Sequence, residues 1–209
     1  MTISRRRVLT GGAVTGVGLS VAGVLPSLAE PAAAGTDAHR PGGGLPGGRP
    51  FPPLQDDPNG ILALPTGFSY RIVTREGETD LSFGQGKTPA FHDGTGVVAA
   101  ARNRLTIIQN HELTPHMAQF GVPHVAGTVY DPGAVNASGC TVIITDGNGR
   151  RTAEWVGISG TVRNCAGGVT PWGTWLTCEE TFINAGTTWS AAGQTGTYEK
   201  SHGYVFEVF

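Results

Sequence analysis

From Ile61 onward, short apolar or alternating runs recur along the chain with turn-forming residues between them. Phe68–Thr74 follows the two-residue period of a half-buried strand. Gly96–Ala101 and Leu105–Asn110 flank Arg102-Asn103-Arg104 and read as a hairpin. Cys140–Thr145 and Ala153–Ser159 flank Asp146-Gly147-Asn148-Gly149, a sequence suited to the tight turns that join antiparallel strands. Thr174–Cys178 and Tyr204–Phe209 complete the predicted strands. No amphipathic helix of useful length is expected after residue 60, and only Pro115–Phe120 has room for a helical turn or two. The pattern predicts an all-β fold, with sandwich, barrel and propeller all open. A propeller blade takes about 40–45 residues in four strands, so the chain holds three or four blades' worth, an incomplete β-propeller. Gly203-Tyr204-Val205-Phe206-Glu207-Val208-Phe209 reads as the middle of a strand, and a truncated or partial chain is therefore expected.

The N-terminus follows a different pattern. Ser4-Arg5-Arg6-Arg7-Val8-Leu9 precedes a mildly apolar run from Gly11 to Ala29. Ser27-Leu28-Ala29 and Ala32-Ala33-Ala34 each offer a small-residue cleavage site, so residues 1–34 are expected to be an export signal. The paired arginines point to the twin-arginine subtype, with its export machinery as partner and the periplasm or exterior as destination. Pro26 and the interspersed glycines make the run a poor span, so no stable membrane anchor is expected. This route carries folded proteins, which suits one that acquires a metal or cofactor before crossing. Residues 35–60, rich in Gly and Pro, read as a flexible segment, and residues 61–209 as the folded domain.

Composition sharpens this picture. The 209 residues include 33 Gly and 14 Pro, only 14% are charged, and the net charge is −2. Strand-and-turn architecture is favoured, and nothing in the charge suggests nucleic acid or an anionic membrane as a partner. A monomer is expected. With three cysteines, Cys140, Cys165 and Cys178, at least one thiol is left outside any intramolecular disulfide.

Three clusters can carry chemistry: Phe91-His92-Asp93-Gly94, Asn110-His111-Glu112, and the run from Arg163 to Thr181. In the last, Gly167-Gly168 and Pro171 predict a turn just after Asn164-Cys165, leaving the Cys165 thiol at a strand end. The following strand then delivers Glu179 and Glu180, which point to opposite faces in extended chain. A cation makes such paired acids favourable, and Glu112 adds a third carboxylate. Sulfur suits a transition metal such as iron, whereas carboxylate oxygens suit calcium. The plainer readings are that Cys140 and Cys178 are core, that the glutamates are a solvated strand end, that His111 is structural and that His92 starts a turn. Gly84-Gln85-Gly86-Lys87-Thr88 lacks the first glycine of a phosphate loop, and no Gly-x-Ser-x-Gly elbow or His-Glu-x-x-His helix occurs.

The stretch Asn164-Cys165-Ala166-Gly167-Gly168-x-Thr170-Pro171-Trp172-Gly173-Thr174-Trp175, continuing to Cys178-Glu179-Glu180, resembles the PhoX-type alkaline phosphatase family. Asn110-His111-Glu112, His92-Asp93-Gly94 and the twin-arginine signal fit it too. The resemblance runs from about Pro65 to the last residue and is to the N-terminal portion of the family's usual length only, so residues 61–209 are expected to be the N-terminal part of a β-propeller phosphatase-like domain. It implies an exported β-propeller phosphomonoesterase with ferric iron (Fe3+) and calcium (Ca2+) in a central cavity, acting on small phosphate esters. By the same resemblance, Cys165 would be an iron ligand, and Glu179, Glu180 and Glu112 metal ligands. The alternatives are a catalytically inactive propeller-like binding or scaffold protein and a calcium-dependent lactonase-type hydrolase, which would not need Cys165.

Overall fold

The computed structural model describes residues 52–209 and, before them, the backbone of two short strands, β1 (Gly44–Leu45) and β2 (Arg49–Pro50). The expected export signal and most of the Gly- and Pro-rich segment lie outside the described residues. The chain forms an N-terminal unit ending at Tyr70 and a second unit, Arg71–Phe209. In the first, β1 pairs with β2 and β3 (Leu54–Gln55) with β4 (Leu64–Pro65), both antiparallel. Asp57 organises the loop between β3 and β4. Its carboxylate accepts the Asn59, Ile61 and Leu62 N–H groups at 2.9, 2.9 and 3.0 Å and the Tyr70 hydroxyl at 2.6 Å. The Tyr70 bond and then the backbone donors hold this carboxyl well below the usual carboxylate range. Structure therefore starts ahead of Ile61, through capture of backbone donors by one acidic side chain and not through apolar burial.

The expected strand at Phe68–Thr74 is absent. The segment has no ladder partner among the described residues, and Phe68 and Ile72 are exposed. Alternation marks a face but cannot supply the neighbouring strand that pairs with it.

The second unit is all-β apart from one 3₁₀ turn, Ser82–Gly84. The Pro115–Phe120 segment makes turns and no helix. Its strands are β5 (His92–Ala101), β6 (Arg104–His111), β7 (Ser138–Asp146), β8 (Arg151–Thr161), β9 (Asn164–Val169), β10 (Trp175–Glu179), β11 (Thr188–Ala191), β12 (Gln194–Thr197) and β13 (Val205–Val208). One antiparallel sheet runs β5-β6-β7-β8 in chain order, and a second runs β13-β10-β9. The β11–β12 hairpin is an excursion between β10 and β13. Among the described residues these sheets close neither a barrel nor a propeller ring.

Both predicted hairpins form. Ala101 pairs with Arg104 across a two-residue turn. In the β7–β8 turn, Asp146 accepts the Asn148 and Arg150 N–H groups, each at 2.9 Å, and Gly149 takes the left-handed φ of +74°. Strand β9, by contrast, occupies the stretch read as a turn. Gly167 and Gly168 lie inside it, and the turn follows at Thr170–Thr174. The reason is close packing: a Cβ on Gly167 would lie 2.2 Å from the Trp175 ring, and one on Gly96 of β5 would lie 2.3 Å from it. Two glycines thus open a slot for one indole.

Trp175, Phe206 and Val208 of the second sheet pack against Ile108, Cys140, Val142 and Ile158 of the first. Val156 on the opposite face of β8 packs with Leu81 and Val122. Strand β7 is therefore covered on both faces, and Ser138 through Thr145 are all buried. Replacing Trp175 by Ala removes the side chain that fills the slot and is expected to cost about 3–5 kcal/mol, read from urea unfolding. A loss below about 1 kcal/mol would show that the two sheets do not dock through this indole.

Candidate metal centre

The site grows out of two irregularities in the ladders. On β5 the register passes from His92↔His111 to Thr95↔Gln109, so Asp93 and Gly94 together face the single residue Asn110. On β9 it passes from Gly167↔Thr177 to Asn164↔Glu179, so Cys165 and Ala166 together face Cys178. Each extra residue makes a β-bulge, which re-aims side chains and leaves carbonyls without a ladder partner. Neighbouring amides serve those carbonyls. Gln109 Nε2 donates to Asp93 O at 2.9 Å, and Asn110 Nδ2 donates to Cys165 O and Ala166 O at 2.8 and 3.1 Å. Asn110 Oδ1 accepts from Trp175 Nε1 at 2.9 Å and Cys140 Sγ at 3.0 Å, so this fully buried amide uses both ends. Gly94 lets the bulges touch, because a Cβ there would lie 2.6 Å from Cys165 O.

Held this way, Asp93, Glu112 and Cys165 each present a ligand atom, all within 4.8 Å of one another. Glu112 follows β6 directly, and its N–H donates to Phe91 O at 2.9 Å. Desolvation, the hydrogen bond to Asp93, and the charges of Asp93, Glu112 and Glu180 push the Cys165 thiol above its ordinary pKa. Negative groups gathered about one sulfur disfavour thiolate unless a cation joins them, and a coordinating metal reverses that balance. One sulfur and two carboxylates fit a borderline metal such as iron, with oxygens to spare for calcium. Glu180 belongs to this rim. Arg163 Nη2 reaches Glu112 Oε1 at 2.9 Å and Glu180 Oε2 at 3.1 Å.

Glu179 occupies the opposite face, as the period of an extended strand requires, where it pairs in register with buried Asn164. Its Oε1 accepts the Val162 N–H at 2.9 Å and the His202 Nδ1–H at 2.7 Å. Its Oε2 accepts the Gly203 and Tyr204 N–H groups at 2.7 and 3.1 Å. Both oxygens are thus engaged within the fold. The other nitrogen of His202 meets Asp131 Oδ2 at 3.0 Å, and all three side chains are buried. Burial opposes protonation of His202, but the hydrogen bonds and charges of Glu179 and Asp131 outweigh it and raise its pKa. His202, held between two carboxylates, ties β10 to the loops on either side.

The remaining polar clusters have structural partners. His111 Nδ1–H donates to Ala90 O at 2.9 Å, leaving Nε2 to accept from the Thr141 hydroxyl at 3.1 Å. Burial, then the charge of His92, lower its pKa to about 3, so it is neutral. The Ser138 hydroxyl donates to His111 O and accepts the Asn164 N–H at 2.8 Å, joining β6 to β9. Cys140 is core, with its thiol pushed up by burial to about 12. All three cysteines are free thiols.

Of the four ligands expected from sequence, the fold brings Cys165 and Glu112 together, sets Glu180 beside them through Arg163, and turns Glu179 inward. Sequence reasoning gave no role to Asp93, Asn110 or Arg163. All three sit in the clusters that carry chemistry, but the position of Asp93 depends on a bulge that no pattern reveals.

Asn110→Ala strands two carbonyls and an indole N–H, so a stability loss of at least about 2 kcal/mol is expected in chemical denaturation. The His202 pKa is raised on folding, so its contribution is complete below about pH 6.5 and is lost as pH rises through the folded value. Urea midpoints of the protein and His202→Gln, measured from pH 6 to 9, should therefore converge as the pH rises. A constant difference would show that the imidazolium is not what ties β10.

A family model described as alkaline phosphatase PhoX matches residues 49–152 and 148–209. No curated protein and no solved structure gave a match. Among the described residues no helix is long and apolar enough to cross a membrane. The matched segments span most of the chain and include every residue of the thiol–carboxylate group, and the chain belongs to the PhoX alkaline phosphatase family.

Proposed function

We propose that this protein is an exported, metal-dependent phosphomonoesterase whose iron and calcium ions are held at the Asp93–Glu112–Cys165 group with Glu180 at its rim. Family membership supports phosphatase-type hydrolysis of phosphate esters. The observation that carries the finer reading is the meeting of one thiol and two carboxylates, from separate strands, within 4.8 Å. Such a set suits no acyl-transfer triad, and among the described residues the buried histidines, His111 and His202, have both ring nitrogens bonded elsewhere.

Bound at this group, iron and calcium would supply Lewis acidity that offsets negative charge developing on the phosphoryl oxygens. The chain's own part is positioning. Cys165 and Asp93 would hold the metal from their bulges, with Glu112 and Glu180 beside them. Asn110 fixes the Cys165 segment from behind. Glu179 acts as a positioning residue, because its carboxylate gathers Val162, His202 and the Gly203–Tyr204 turn around the end of β10.

The two successive antiparallel meanders support reading the domain as propeller blades. Twin-arginine export to the periplasm or exterior, proposed from Arg5-Arg6-Arg7, is consistent with a folded, metal-loaded cargo.

Cys165→Ala tests the reading. Wild type purified with iron and calcium should hydrolyse p-nitrophenyl phosphate, and the variant should lose bound iron and activity together while keeping its circular dichroism spectrum. Retention of both by the variant would refute the assignment. Iron-independent, calcium-dependent ester hydrolysis would favour a lactonase-type site.

A further inference from the structure

Arg163 is built into the rim of the thiol–carboxylate group. Its backbone lies in the left-handed region, φ +53°, which a non-glycine residue keeps only when its surroundings demand it. Two hydrogen bonds make that demand: its N–H donates to Leu113 O, and its carbonyl accepts the Glu180 N–H, each at 2.8 Å. The guanidinium is thereby brought between the ends of β6 and β10. Nε and Nη2 donate to Glu112 Oε1 at 3.3 and 2.9 Å, and Nη2 also reaches Glu180 Oε2 at 3.1 Å. Nη1 has no partner among the described residues, and the side chain is 45% exposed.

The charge around it makes this position consequential. Asp93, Glu112 and Glu180 crowd the Cys165 sulfur, so a phosphate ester approaching them meets negative charge and needs cations to bind. Among the described residues, the other cations in ion pairs join Glu78, Asp80 or Glu154, or, for His202, Asp131 and Glu179, none of them in this group. Among the described residues, Arg163 is the one cation ion-paired with this group. Guanidinium is also the side chain best matched to phosphoryl oxygens, being planar, permanently charged and forked. With one edge fixed by two carboxylates, the head is oriented in advance and its other edge is left to a ligand.

We infer that Arg163 is a substrate-binding residue, and that its Nη1 edge hydrogen-bonds a non-bridging oxygen of the phosphoryl group. This rests on the phosphatase reading above but adds a residue outside the expected ligand set. A purely structural Arg163 would instead staple Glu112 to Glu180 and influence only stability and metal content.

The test uses the full metal-loaded chain as wild type, Arg163→Gln and Arg163→Lys. Bound iron and calcium, the thermal midpoint, p-nitrophenyl phosphate kinetics and inorganic phosphate binding by calorimetry are measured on each. Arg163→Gln should raise KM and the phosphate Kd by about tenfold or more at unchanged metal content and midpoint, with Arg163→Lys in between. Unchanged KM and phosphate Kd would overturn the inference, as would losses that follow metal and midpoint in both variants. If wild type hydrolyses no ester yet binds phosphate through Arg163, the phosphate site stands and the hydrolase reading falls. If it neither hydrolyses nor binds phosphate, both fall.

Discussion

The side-chain amide of Asn110 is the contact on which the site depends. Two bulges face each other across it, one carrying Asp93 and the other Cys165, and each leaves backbone carbonyls that no ladder satisfies. A buried carbonyl without a donor is costly, so bulges of this kind persist only where something else donates. Asn110 gives both its amide hydrogens to the Cys165 bulge and accepts from Trp175 and Cys140 in the core. One residue therefore couples the packing of the two sheets to the position of the sulfur.

The arrangement separates duties between the faces of β10. On one face, Glu179 is surrounded by donors and clasps His202, which in turn meets Asp131. On the other, Glu180 reaches the half-exposed Arg163 and the thiol–carboxylate group. Adjacent acids, alike in sequence, are thereby given different surroundings by strand geometry, one buried and one exposed. The inward one steadies the strand end, and the outward one is available to a ligand.

Much of the fold is legible in the sequence because it is local. Asp146-Gly147-Asn148-Gly149 encodes its own turn, and the apolar run of β7 encodes its burial. What is not legible depends on distant partners. Gly167-Gly168 looks like a turn until Trp175 is known to lie against it, and Phe68–Thr74 looks like a strand although no strand among the described residues pairs with it. The same divide runs through the site. Cys165, Glu112 and Glu180 stand out by type and motif, whereas Asp93, Asn110 and Arg163 acquire meaning only through bulges and a left-handed residue. The inward turn of Glu179 could not be told from the outward turn of Glu180 before the register was known.

The three ligand atoms come from positions 93, 112 and 165, brought together only when β5, β6 and β9 are assembled and the indole is in its slot. An unfolded chain offers each donor singly, too far apart to chelate. Any cation that the trio holds therefore binds the finished structure far better than its precursor, and deepens the native basin by mass action. Capture of an ion there would report that assembly is complete.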